Sequence, residues 1–200
     1  MERTSQLSAV ILVGGRSSRM GYPKYLAKIG AQTFLQRQLN VLSKIFKEII
    51  LIAGQGQCFQ ARPQGIKVVT DLVGNLGPIG GLYTGLHTAA GSGVFLTACD
   101  MPFPDQRLIR ELIDGFDCEK LEGRIPVSLR GLEPLHGVYS KRILKPLEAA
   151  IHSGELSLRR LIASSNCETV DWSCRRTDSL ININTPKELE LVKTLLGHID

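Results

Sequence analysis

The chain runs to 200 residues, 43% of them hydrophobic and 22% charged, with a formal net charge of +5. That balance belongs to a globular protein with a sizeable core and excludes a low-complexity or intrinsically disordered chain. Its 5 cysteines and 4 histidines are scattered without a C-x-x-C pair, which sets aside a disulfide framework and a zinc centre, and no stretch approaches the roughly 20 apolar residues of a membrane span.

Leu7 to Val13 is an apolar, β-branched run that reads as a buried strand. It feeds into Gly14-Gly15-Arg16-Ser17-Ser18-Arg19-Met20-Gly21-Tyr22-Pro23-Lys24, which reads as a phosphate cradle. Glycines there let the backbone approach an anion closely, exposed amides can face it, and Arg16, Arg19 and Lys24 add positive charge. Neither standard nucleotide motif fits. Tyr22 and Pro23 separate Gly21 from Lys24, so there is no Walker A, and the adjacent Gly14 and Gly15 break the G-x-G-x-x-G fingerprint. The short apolar start ends in this loop without the form of an export signal, and with unpaired cysteines the expected compartment is the cytoplasm. No dense Lys/Arg run or interleaved aromatic pattern points to nucleic acid.

Thr33 reads as the cap of a helix extending to about Lys47, with Leu35, Leu39, Leu42 and Phe46 on one buried stripe. Glu48 to Ala53 is a strand without alternation, as expected of a parallel sheet covered on both faces, followed by a polar loop from Gly54 to Gly65. Ile66 to Val69 is the next strand and ends at Asp71. The glycine-dense stretch from Gly74 to Gly81 leads into a helix from Pro78 to about Ala90. Gly80, Gly81 and Gly85 weaken that helix by about 1 kcal/mol each, so either a neighbouring strand packs closely against it or a ligand approaches its start.

Val94 to Ala98 reads as a buried strand that delivers Asp100 at its carboxyl end. In open α/β sheets that is where ligands lie, so Asp100 is either a magnesium ligand or the cap of the helix beginning near Pro104. Beyond Gly115 the pattern is mixed. Arg124 to Leu129 and Glu133 to Tyr139 read as strands joined through Arg130-Gly131-Leu132, with helices from Lys141 to Ile151 and from Ser157 to Ala163. Glu168 to Trp172 and Ser179 to Ile183 read as late strands, and Thr185, Pro186 and Glu188 form a capping box for a last helix. This is an α/β pattern giving a mainly parallel sheet with an antiparallel addition.

Taken together the motifs resemble one family. The opening loop is similar to the L-A-G-G-x-S-x-R-M-G-x-x-K signature of the MobA-like nucleotidyltransferases, the molybdenum cofactor guanylyltransferases. The likeness continues in K-Y-L-A-K-I-G after the loop, D-x(5)-G-P-I-G-G-L from Asp71 to Leu82, C-D-M-P from Cys99 to Pro102, E-P-L-H-G-V-Y from Glu133 to Tyr139 and N-I-N-T-P from Asn182 to Pro186. It implies one Rossmann-like, three-layer α/β/α nucleotidyltransferase domain over residues 1–200, of the nucleotide-diphospho-sugar-transferase type. It implies Mg²⁺ and transfer of GMP from GTP to the molybdopterin cofactor with release of pyrophosphate, in transient contact with cofactor-synthesis or acceptor proteins. Carried over by position, Leu12, Val13, Gly14, Gly15, Asp71, Gly77 and Pro78 would serve the nucleotide. Gly15, Arg19 and Lys24 would serve its phosphates, Asp100 the metal, and Asn182 and Asn184 the pterin side near the reacting phosphates. Arg16, off the family positions, reads as a solvated neighbour. Two departures stand out: Pro23 replaces a common Asp, and Ala53-Gly54 stands where many members have Asn, leaving that nucleotide contact unassigned. A cytidylyltransferase acting on the same cofactor, a sugar-phosphate nucleotidyltransferase and a non-catalytic nucleotide-binding module are the alternative readings.

Overall fold

A computed structural model describes residues 6–14, 20–56, 65–175, 178 and 180–196. The elements in chain order are β1 (Leu7–Leu12), the hairpin strands β2 (Lys28–Ile29) and β3 (Gln32–Thr33), α1 (Phe34–Leu42), β4 (Ile49–Ala53), β5 (Lys67–Thr70), α2 (Pro78–Thr88), β6 (Gly93–Ala98), α3 (Gln106–Asp114), β7 (Gly123–Ser128), β8 (Gly131–Leu132), β9 (His136–Ser140), α4 (Leu144–Ser153), α5 (Leu158–Ala163), β10 (Cys167–Asp171) and α6 (Pro186–Leu196).

Eight strands join one sheet in the order β10-β7-β9-β6-β1-β4-β5, with β8 paired to β7. β6, β1, β4 and β5 are mutually parallel, β9 runs antiparallel between β6 and β7, and β10 is parallel to β7. Every residue of β4 and β6 is buried, as their unbroken apolar runs require of strands covered on both faces. Two cores lie on opposite faces. Leu35 and Leu42 of α1 and Leu108, Ile109, Leu112 and Ile113 of α3 pack with Ala9, Ile11, Leu51 and Phe95 on one side. Ile79, Leu82 and Leu86 of α2, with α4 and α5, pack with Val10, Ile50, Ile52 and Leu96 on the other. The alternation along β1 and β4 therefore feeds two helix layers, which is the three-layer architecture.

The glycines of α2 settle one open question. A Cβ on Gly81 would stand 2.5 Å from Leu12 Cδ2 and one on Gly85 would stand 2.9 Å from Val10 Cγ2, so these positions let the helix settle on β1. Several sequence expectations need correction. α1 ends at Leu42, because a turn through Ser43 to Ile45 closes it, and the stripe residue Phe46 is buried from the loop beyond. α2 stops at Thr88, two residues short of Ala90. The expected strand Ser179–Ile183 begins outside the described residues, and residues 180–183 are not a strand. Their backbone bonds leave the sheet: Ile183 N donates to Asp100 O at 2.8 Å, Ile181 N donates to Asp178 O at 3.0 Å, and Leu180 O accepts from the Arg130 guanidinium. Among the described residues no helix is long and apolar enough to cross a membrane.

Candidate active site

The parallel registers align the carboxyl ends of four strands: Leu12 pairs with Ile52 of β4 and Ala98 of β6, and Ala53 pairs with Thr70 of β5. The chain must leave the sheet along this one edge four times. A cleft of about 980 Å³ opens there, lined by Leu12, Val13, Gly14 and Lys24 after β1, by residues 52–56 after β4, by Asp71, Gly74, Asn75, Gly77 and Pro78 after β5, and by Ala98, Cys99 and Asp100 after β6. This brings together Leu12, Val13, Gly14, Lys24, Asp71, Gly77, Pro78 and Asp100 of the sequence-derived set. Gly15, Arg16 and Arg19 lie outside the described residues.

Gly14 is dictated by its neighbour. A Cβ there would stand 2.5 Å from Gly54 N, so the first residues beyond β1 and β4 can lie side by side only without a side chain at position 14. Gly77 has φ 68° and turns the chain into α2, with Pro78 at the first helical position, so the amino-terminal end of the helix opens on the cleft. That end carries partial positive charge, which favours an anion.

Lys24 Nζ donates to Asp100 Oδ2 at 2.9 Å and to Asn184 Oδ1 at 2.6 Å. The loop after β1, the end of β6 and the segment before α6 thus converge on one ammonium group. An ammonium has three protons. Two are used among the described residues. Asn184 reaches the cleft through Lys24, and neither Asn182 nor Asn184 is among its lining residues; the amide between them, Ile183 N, is tied to Asp100 O, and Asn182 Oδ1 is buried without a partner among the described residues. Asp71 lines the cleft and is also tied to the fold. Its Oδ1 accepts from Thr84 Oγ1 at 2.7 Å and from Val73 N at 3.3 Å, which joins the end of β5 to the middle of α2.

The alternative role of Asp100 as a helix cap is removed, because α3 begins at Gln106 and its cap is Asp105, which accepts from Arg107 N at 2.8 Å. Asp100 Oδ1 is buried and has no hydrogen-bond partner among the described residues. A carboxylate oxygen left unpaired in a cleft is costly by itself and fits a cation. Among the described residues no three His, Cys, Asp or Glu side chains gather as a metal cage. Mg²⁺ needs none, since it is commonly held by one or two carboxylates together with substrate phosphates and water. Cys99, next to it, is buried, and burial followed by the neighbouring Asp100 charge pushes its thiol up to about 12, which disfavours the thiolate.

One residue that shapes this site was not read from the sequence. Gln38 is completely buried on α1, and its Nε2 donates to Ala98 O and Met101 O, both at 2.7 Å. It clamps the turn that carries Asp100. The signal was present as a polar residue on the apolar stripe between Leu35 and Leu42.

With this geometry established, comparison with known proteins identifies the family. Residues 9–170 match the MobA-like NTP transferase domain. The chain belongs to that family. Its fold is that of a MobA-like NTP transferase. It is 32% identical over 97% of its length to a probable molybdenum cofactor guanylyltransferase of Natranaerobius thermophilus, of which 98% is covered. It is 33% identical over 94% of its length to a protein of the same description from Thermococcus sibiricus, of which 97% is covered. A solved structure of molybdopterin-guanine dinucleotide biosynthesis protein A from Archaeoglobus fulgidus superposes with a TM-score of 0.82, covering 96% of this chain and 100% of the other at 21% identity, which establishes the shared fold.

Proposed function

We propose that this protein transfers GMP from GTP to the phosphate of molybdopterin carrying molybdenum, forming the guanine dinucleotide cofactor and releasing pyrophosphate. The observation that carries the reading is the Lys24–Asp100–Asn184 cluster at the ends of β1 and β6, in a chain of this family. The names borne by its relatives supply the substrate pair.

The chemistry asks little covalent work of the protein. An oxygen of the pterin phosphate forms a bond to the α-phosphorus of GTP, the bond from that phosphorus to the bridging oxygen breaks, and pyrophosphate leaves with the electron pair. An ionised phosphate is already nucleophilic, so no general base is needed, and positioning with charge stabilisation does the catalysis. Lys24 supplies one positive charge, held in place by Asp100 and Asn184 so that little reorganisation is left for the reaction. The amino-terminal end of α2 and the glycine backbone after β1 receive phosphate oxygens, and Arg19 adds charge from the same loop. Asn184 and Asn182 face the acceptor phosphate at the Asp100 end. Asp100 Oδ1 would hold Mg²⁺, which supplies Lewis acidity and a template for the phosphates. A cytoplasmic location belongs to the same proposal, since a reducing compartment keeps scattered cysteines as thiols.

The test is pyrophosphate release from GTP with Mg²⁺ and molybdate-loaded pterin, run beside CTP and UTP. Release with GTP that needs the pterin supports the reading. Release only with CTP replaces it by the cytidylyltransferase, and no release under any combination replaces it by a binding module.

A further inference from the structure

The cleft has two chemically different ends. Lys24, Asp100 and Asn184 mark the end over β1 and β6. The opposite end lies over β4 and β5, two to three strand spacings away, roughly 10–14 Å. That span suits a nucleotide whose phosphates lie at the first end and whose base reaches the second. At the second end the polar side chains lining the cleft are Gln55, Asp71 and Asn75, and one oxygen of Asp71, Oδ1, is engaged by Thr84 and Val73. Gln55 and Asn75 are exposed, and neither carboxamide has a hydrogen-bond partner among the described residues.

Both are held at the mouth of the cleft by backbone features. A Cβ on Gly74 would stand 2.5 Å from Gln55 Cδ and 2.6 Å from Gln55 Nε2, so the glutamine head lies across the bare backbone of residue 74. Asn75, the next residue, has φ 67° and is the sole non-glycine residue with positive φ among those described. That conformation is uncommon for a residue with a side chain and recurs at ligand sites. The two loops thereby bring two exposed carboxamides to one rim, where each offers an N–H donor beside a C=O acceptor.

We infer that Gln55 and Asn75 form the base-reading pair of this cleft and select guanine by its Watson–Crick edge. Guanine presents an acceptor at O6 and donors at N1 and the 2-amino group. One carboxamide satisfies O6 and N1–H, and the oxygen of the other accepts from the 2-amino group. Adenine has no group at its C2 position and leaves the second carboxamide unpaired, and a pocket built to bond a group rejects an analogue lacking it. The inference rests on GTP being the nucleotide and adds the side chains that choose it.

Equilibrium binding of GTP, ITP, ATP and CTP with Mg²⁺ tests it in the wild type, Gln55→Leu, Asn75→Gly and Lys24→Ala. Asn75→Gly keeps the positive φ while removing the carboxamide. The expected result is a wild-type preference for GTP, with the GTP-to-ATP or GTP-to-ITP affinity ratio falling about tenfold in Gln55→Leu or Asn75→Gly. Lys24→Ala should weaken the purine nucleotides together and leave the ratios alone. A wild-type preference for GTP with unchanged ratios in both carboxamide variants overturns the pair and spares the GTP reading. A wild type that binds GTP no better than ATP or CTP overturns both.

Discussion

The ammonium of Lys24 lies 2.9 Å from the carboxylate of Asp100, although 76 residues separate them in the chain. The pair is partly buried, and Asp100 keeps a second oxygen without a partner among the described residues. Each side chain holds the other in place at the ends of β1 and β6.

Asp100→Asn should lower turnover about 100-fold, roughly 3 kcal/mol, even at saturating Mg²⁺. Lys24→Ala should lower kcat/KM by a similar factor. Because the two groups touch, the double variant should lose far less than the product of the single losses. Pyrophosphate-release kinetics on the three variants check this, and near-wild-type turnover of Asp100→Asn would remove the metal role.

Gln38→Leu keeps the apolar stripe of α1 and removes the donor to Met101 O, while Ala98 O keeps Met101 N at 3.1 Å. One unsatisfied carbonyl costs about 1–3 kcal/mol. Urea unfolding should therefore show a lower midpoint, and turnover should fall with it because the turn carrying Asp100 loosens. Wild-type turnover in a destabilised variant would confine Gln38 to folding.

Glu188 accepts from Asn184 N at 2.6 Å and from Thr185 N at 3.2 Å, completing the capping box of α6. Its carboxylate therefore steadies the backbone of the residue that holds Lys24. Glu188→Ala should cost about 1 kcal/mol of stability and lower kcat several-fold without altering nucleotide affinity. Calorimetry combined with GTP titration separates the two effects.

His136 is fully buried, its ring edge meets Phe95 at 5.1 Å between centroids, and neither ring nitrogen has a partner among the described residues. Burial pulls its pKa down from 6.5 to about 4, against a weaker opposing pull from the Asp105 charge. The unfolded chain therefore binds the proton first as pH falls. The stability contribution of the neutral ring is complete above pH 6.5 and is lost as pH drops from there toward about 4, at most about 3 kcal/mol. Unfolding at pH 7 and pH 5 should show the loss in the wild type and a smaller one in His136→Phe. Equal pH dependence in both proteins would assign it to other groups.

Much of this protein is determined by short-range sequence. The apolar runs of β1, β4 and β6, the capping boxes at Thr33 and Thr185, and Pro78 at the start of α2 act through neighbours a few residues away, so periodicity and capping chemistry reveal them. Asp100 and Lys24 could also be picked out, since each follows a buried strand into a loop. The tertiary structure decided what long-range contacts decide. It placed Gly81 and Gly85 against β1, gave the cap of α3 to Asp105, and turned residues 180–183 away from the sheet toward Asp100. It also buried Gln38 under the turn that carries Asp100 and set Gln55 across Gly74. Parallel pairing joins strands whose partners lie tens of residues apart, so the register that aligns four carboxyl ends exists only after packing, and with it the cleft that those ends enclose.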